Sequence, residues 1–209
     1  MKPFLYFPAR LLVIFTFSVV AACSSTKLVE SWSEPEFTDK PLKKILILAV
    51  MQDDLQRRSF EGKFAERITL DGVEGVPGNT LMSNPEDYDE KSEIRQAVMQ
   101  SGADAVLIAT LVKVKKEERY VPPRVDYIPS YGYGHGMYDY WGRSYQSVYS
   151  PGYTTVDTIV KLETSVFSVD TENMVWSGRT ESFNPKSSEK VVQENADVIA
   201  ADMKKAGLI

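Results

Sequence analysis

A mixed α/β fold, with helices packed on a mixed sheet, is predicted by three observations. Two apolar runs, residues 43–50 (KKILILAV) and 103–114 (ADAVLIATLVKV), show no alternation, as strands buried on both faces do. Between them the apolar residues recur at helical spacing. After residue 154 a strict alternation sets in, the mark of a hairpin with one solvated face. The first half thus reads strand–helix–strand–helix–strand, which favours an α/β layer, with an α+β arrangement of the same elements as the alternative.

Each element follows from its residues. Phe60, Phe64 and Ile68 fall four apart and form one apolar face of a helix over 55–70, with Arg57, Arg58, Lys63 and Glu66 elsewhere on the wheel. Asp53 and Asp54 stand at the end of the first strand, where Asp53 suits a helix N-cap. Residues 73–82 read as a short strand with turns. Gly72, Gly75 and Gly78 do not make a phosphate loop there, because the stretch follows a helix and contains Pro77. A second helix over 86–101 turns Ile94, Ala97, Val98 and Ser101 inward, with Asp87 or Asp89 as its cap and Gly102 in the left-handed C-cap position. In residues 155–169, Val156, Val160, Leu162 and Val166 share one face, and Asp157, Lys161 and Glu163 the other. Residues 170–173 form a turn, and 174–183 (MVWSGRTESF) return as the partner strand. Ser187 or Ser188 caps a last helix that runs to about residue 205, with Val192, Asn195, Ile199 and Met203 inside and Gly207 closing it.

The start of the chain has a different character. Lys2 and Arg10 flank the apolar run LLVIFTFSVV, and Ala21-Ala22-Cys23 follows. A basic flank, a short apolar run and small residues before a cleavage point make a secretory signal over residues 1–22, too short to span a bilayer. Cys23 is the single cysteine of the chain, so it has no disulfide partner within it. Its position resembles the bacterial lipobox, in which the thiol receives a diacylglyceryl group and the new amine is acylated. Two or more chains anchor a protein stably. Ser24 and Ser25, rather than an Asp, follow the cysteine, which fits outer-membrane sorting with the domain facing the periplasm. Residues 23–42 read as a polar tether with Trp32, Pro35 and Phe37 as anchors, leading to one domain over 43–209. Without Lys2 and Arg10, the 24 basic residues fall to 22 against 29 acidic ones, a formal charge of −7, which gives nucleic-acid binding no support.

Residues 120–153 hold nine of the eleven tyrosines, with Trp141, five glycines and four prolines. Prolines break helices, glycines break long strands, and the stretch reads as a long insert between two strands. Tyr and Trp supply rigid contact area with a polar tip, and Gly supplies adaptability, the mixture found in binding loops. Tyr133, Tyr138, Tyr140, Trp141 and Tyr145 are the candidate partner-binding residues. The insert is equally open to a structural reading, as filler or as an extended hairpin packed back on the domain. His135, the one histidine, sits between two glycines, a poor setting for an oriented catalytic base. No zinc-ligand set and no EF-hand spacing occurs, and no cofactor or metal is expected.

The whole pattern resembles a family of small Gram-negative bacterial lipoproteins of unassigned function. The shared features are the lipobox, Trp32, Pro35 and Phe37, the KKILIL strand, GADAVLIATLV, the Tyr/Gly/Pro-rich insert ending in YSPGYT, LETSVF, VWSGRTESF and the terminal Gly-Leu-Ile. No active site comes with this resemblance. In general plan the chain is also similar to periplasmic domains of envelope-assembly lipoproteins, the curli-secretion type among them. The expectation is a non-enzymatic, lipid-anchored envelope protein that binds a protein or peptidoglycan partner through its insert. The alternatives are an envelope hydrolase using Asp53 or Asp54, and a subunit of a secretion or transport assembly.

Overall fold

The computed structural model describes residues 24–209 apart from 36, 38–40, 83, 85–87, 89 and 130–144, with the backbone alone for 127–129, 145 and 146. In chain order the elements are β1 (Thr26–Ser33), β2 (Lys44–Val50), α1 (Asp54–Thr69), β3 (Glu74–Pro77), α2 (Lys91–Ser101), β4 (Ala105–Val121), β5 (Arg124–Pro129), β6 (Tyr145–Ser150), β7 (Tyr153–Ser168), β8 (Met174–Phe183) and α3 (Ser188–Lys205). Six strands form one mixed sheet in the order β1-β8-β7-β4-β2-β3, and β5 and β6 form a second, two-stranded one. β2 runs parallel to β3 and β4, and the remaining pairings of the large sheet are antiparallel. This is the mixed α/β class that the two apolar runs and the later alternation predict.

The sheet is covered on both faces around β2, which is why its apolar run lacks alternation. Ile45, Ile47 and Ala49 meet Phe60, Phe64 and Ile68 of α1 and Ile199 and Met203 of α3. Leu46 and Leu48 join the opposite cluster with Ala97 of α2. Gly102 ends α2 at φ 60, the left-handed conformation that a residue without a Cβ adopts without strain. Asp53 caps α1 by accepting from the Gln56 N–H at 2.8 Å, and Ser187 caps α3 by accepting from the Lys190 N–H at 3.2 Å.

Several expectations need correction. The segment read as a tether supplies β1, an edge strand paired with β8 from Thr26↔Ser182 to Ser33↔Trp176. An extra residue at Val29 breaks its alternation, and its partner strand lies far along the chain. Arg57, placed on the outer side of α1, is buried together with Glu61. α2 begins at Lys91 rather than 86, and its N-cap, Glu90, makes no side-chain capping bond, while Asp87 and Asp89 lie outside the described residues. In β7, Asp157 is buried and Val156 is exposed, the reverse of their expected sides. Asp157 accepts from Asn184 Nδ2 at 2.7 Å and from Arg119 Nε at 3.1 Å, which satisfies the carboxylate.

The flanks of the insert bear on its open structural reading as an extended hairpin. β4 and β7 stay paired far beyond the core, out to Val121↔Tyr153. The chain then turns a corner, Pro122-Pro123 on one side and Pro151-Gly152 on the other, and resumes as the β5–β6 ribbon from Arg124↔Ser150 to Pro129↔Tyr145. Both flanks of the insert are therefore strands of one long arm. The prolines mark an interruption between two ribbons in one register rather than the end of pairing.

Candidate interaction surface and the N-terminal clamp

The arm grows out of the sheet with a change of face. Up to Leu111, odd-numbered residues of β4 face the α1/α3 side, with Leu111 paired to Leu162. Val112 is an extra residue, and the next pairs are Lys113↔Lys161 and Val114↔Val160. Such a bulge transfers the inner side to even-numbered residues. Beyond the level of Val114 and Val160, no helix packs on the strands among the described residues. Residues 112–120 are exposed throughout, and the pairing of β4 with β7 carries the arm. Exposed tyrosines gather at the corner: Tyr120, Tyr153 and Tyr149, which are 64%, 58% and 65% exposed, with Val125 directly opposite Tyr149. Of the predicted partner-binding residues, Tyr145 opens β6 opposite Pro129. Tyr133, Tyr138, Tyr140 and Trp141 lie outside the described residues, as do His135 and Cys23.

At the base of the arm an apolar groove of about 700 Å³ opens between the N-terminal turns of α1 and α3. Leu55, Phe60, Leu111, Val160 and Val192 line it, with Ser187 and Gln56 at the edge. The strand-end acids stand here. Asp53 is spent on its cap. Asp54 accepts from Arg58 Nε at 2.7 Å and from Arg57 Nε at 3.2 Å, and these hydrogen bonds, Arg58 first, hold its carboxyl below the usual range.

Behind the groove lies a buried charged cluster that helical periodicity does not reveal. Glu61 is fully buried and accepts from the backbone N–H of Ala49 at 3.1 Å and of Asn79 at 2.7 Å, and from the Tyr88 hydroxyl at 3.1 Å. Arg57 Nη1 stands 3.6 Å from its carboxylate, and the guanidinium lies 4.0 Å over the Tyr88 ring. Burial pushes the Glu61 carboxyl up, against the opposing pull of these donors. It also pushes the Tyr88 hydroxyl up, and Glu61 adds to that. The cluster ties the end of β2 to α1 and to the turn after β3.

The other cluster grips the start of the described chain. Ser25 donates to Glu194 of α3 through both its N–H, at 2.9 Å, and its hydroxyl, at 2.7 Å. Lys190 stands 3.4 Å from the other carboxylate oxygen. Thr26 shares a 2.7 Å hydrogen bond with Ser182, and Asn195 donates to the Val191 carbonyl at 2.7 Å and to Ser182 at 3.4 Å. Thr180 completes the set by donating to Asn195. The sequence signal for this clamp was slight: an Asn on the inner stripe of α3 that needs polar partners. Burial alone would raise the Glu194 carboxyl, but Ser25, Thr26 and Lys190 outweigh it and hold it at about 2. A depressed carboxyl stabilises the fold above its unfolded value and ceases to do so as pH falls towards the folded one. The stability it adds is therefore present above about pH 4.5 and lost between there and about pH 2. Glu194→Gln should flatten this part of the acid unfolding curve, measured by circular dichroism, and cost about 1.5–3 kcal/mol at neutral pH. An unchanged acid limb would remove Glu194 from that role.

No family model matches the chain, and no curated protein matches it. Among solved structures it is similar to the PelC dodecamer from Paraburkholderia phytofirmans, at 12% identity over 88% of this chain and 99% of that one, with a TM-score of 0.44. It is also similar to the lipoprotein GNA1162 from Neisseria meningitidis, at 11% identity over 78% of this chain and 99% of that one, with a TM-score of 0.42. Likeness this distant says nothing about what the chain binds.

Proposed function

We propose that this is a non-enzymatic, lipid-anchored protein of the Gram-negative envelope, held in the outer membrane through Cys23 and facing the periplasm. Its α/β domain is a scaffold, and its long β-arm offers the Tyr-rich residues 130–144 to an envelope partner, a protein or peptidoglycan. The observation that carries this reading is the arm itself. Beyond the sheet, six residues of β4 (116–121) and six of β7 (153–158) pair with one another and with no third strand, a ribbon without a core of its own. Ribbons of this kind need a reason to persist, because cross-strand pairs each stabilise by only about 0.2–1 kcal/mol. Presentation of a binding segment away from the domain supplies one.

In-cell photo-crosslinking from position 141, with deletion of 122–151 as control, tests this directly. One dominant adduct that disappears on deletion is expected. Only background adducts would sink the reading. Trp141→Ala with Tyr140→Ala should weaken capture at least about 30-fold, the loss expected from one aromatic hot spot of about 2 kcal/mol. The same change should leave the melting temperature within a degree or so.

A further inference from the structure

We propose that the arm lies along the bilayer surface beside its own lipid anchor, with the aromatic corner at Tyr120, Tyr149, Tyr153 and Val125 seated in the lipid headgroup layer. This rests on the reading of Cys23 as the lipidated residue. Two residues separate Cys23 from β1, and the second of them, Ser25, is bonded twice to Glu194. An extended chain advances at most about 3.6 Å per residue, so the anchor stays within about 7 Å of Ser25. No free tether remains to lift the domain off the membrane.

Strand register places that anchor at the foot of the arm. The Ser25 carbonyl accepts from the Phe183 N–H at 2.8 Å, Phe183 pairs with Ile159, and Ile159 pairs with Lys115. β1 is antiparallel to β8, and β8 to β7, so the chain ahead of Thr26 leaves the sheet in the same direction as the arm. From the Lys115↔Ile159 level the corner lies six residues out, or about 20 Å. An arm that projects towards a membrane from a base held at its surface must either enter it or lie on it. Entry is opposed by Lys113, Lys115, Lys116, Glu117, Glu118 and Arg119, six charged residues among the seven from 113 to 119. The arm therefore lies flat. Exposed tyrosines, with an apolar ring and a polar tip, suit the headgroup layer that the corner then meets. Phe183, half exposed at the level of the anchor, gives a second apolar contact beside the acyl chains.

Since Cys23 is the single cysteine, an introduced cysteine is the one free thiol of the lipidated chain. The test uses full-length lipidated Tyr149→Cys, Val125→Cys and, at the far end of the sheet, Asp170→Cys. Each carries an environment-sensitive fluorophore in phosphatidylethanolamine/phosphatidylglycerol vesicles containing a headgroup-proximal doxyl-lipid quencher. Quenching at 149 and 125 should exceed that at 170 at least three-fold. Equal quenching at all three sites overturns the proposal. Flotation with vesicles and the mass of the N-terminal peptide report the anchor separately. A chain that floats, is acylated and shows equal quenching refutes the surface arm alone, whereas one that neither floats nor carries acyl groups refutes the anchor as well. Adding Ser25→Ala and Glu194→Gln should lower quenching at 149 while flotation persists, and undiminished quenching would remove the clamp from the account.

Discussion

Glu61→Ala is expected to destabilise the domain by about 3–5 kcal/mol, because it removes one partner of a buried charge pair and leaves the other uncompensated. Arg57 keeps Asp54 as a partner, but its Nη1 has no hydrogen-bond acceptor even with Glu61 in place. The backbone N–H groups of Ala49 and Asn79 and the Tyr88 hydroxyl would also lose their acceptor. In urea or thermal unfolding followed by circular dichroism, this should lower Tm by roughly 10 °C. Glu61→Gln should cost less, about 1–3 kcal/mol, since one amide oxygen still accepts while the amide nitrogen meets donors. The pH dependence separates the two effects. Burial raises the Glu61 carboxyl, so its contribution is fully present below the unfolded value and falls as pH rises through the folded one. That sign is opposite to Glu194, and Glu61→Gln should remove the decline on the alkaline side of that titration. A loss under 1 kcal/mol for Glu61→Ala would show that the cluster does not hold β2 to α1.

Trp176→Ala is the second large effect, at about 3–5 kcal/mol. The indole is fully buried among strands and α3, and its N–H donates to Asp202 at 3.2 Å. It lies across Gly178, the next residue on the same side of β8. A Cβ there would stand 2.4 Å from the indole Cη2 and 3.2 Å from Leu28 Cδ1. Gly178→Val should therefore cost about 1–3 kcal/mol by overpacking, although it adds apolar volume. If Gly178→Val is neutral in denaturant titration, the ring has room that this packing denies it.

These two sites show what the sequence could and could not disclose. Trp176 belongs to a hairpin whose alternation was plain, and the α1 stripe of Phe60, Phe64 and Ile68 was equally plain, because each element's own period records its burial. Arg57 and Glu61 were opaque for the converse reason. Charged residues read as solvent-facing on a wheel, and the groups that make their burial tolerable come from β2, the turn after β3 and Tyr88. β1 was hidden by the bulge at Val29 and by its Ser and Glu content. The arm was hidden on the β4 side, where residues 115–120 are exposed and carry no apolar period, whereas β7 was read as a strand from residue 155. The insert's candidate partner-binding residues were picked from composition, a signal that needs no periodicity, and four of the five lie outside the described residues.

The extra residue at Val112 has a consequence for how such an arm can change over generations. It works as a reading-frame mark in the pleat. Loss of one codon there would restore plain alternation with no change of side: Leu111 would be followed by Lys113, still opposite Lys161, and then by Val114, still opposite Val160. The doubled residue is therefore a place where the strand can shorten by one position without altering which side chains the arm shows to its surroundings.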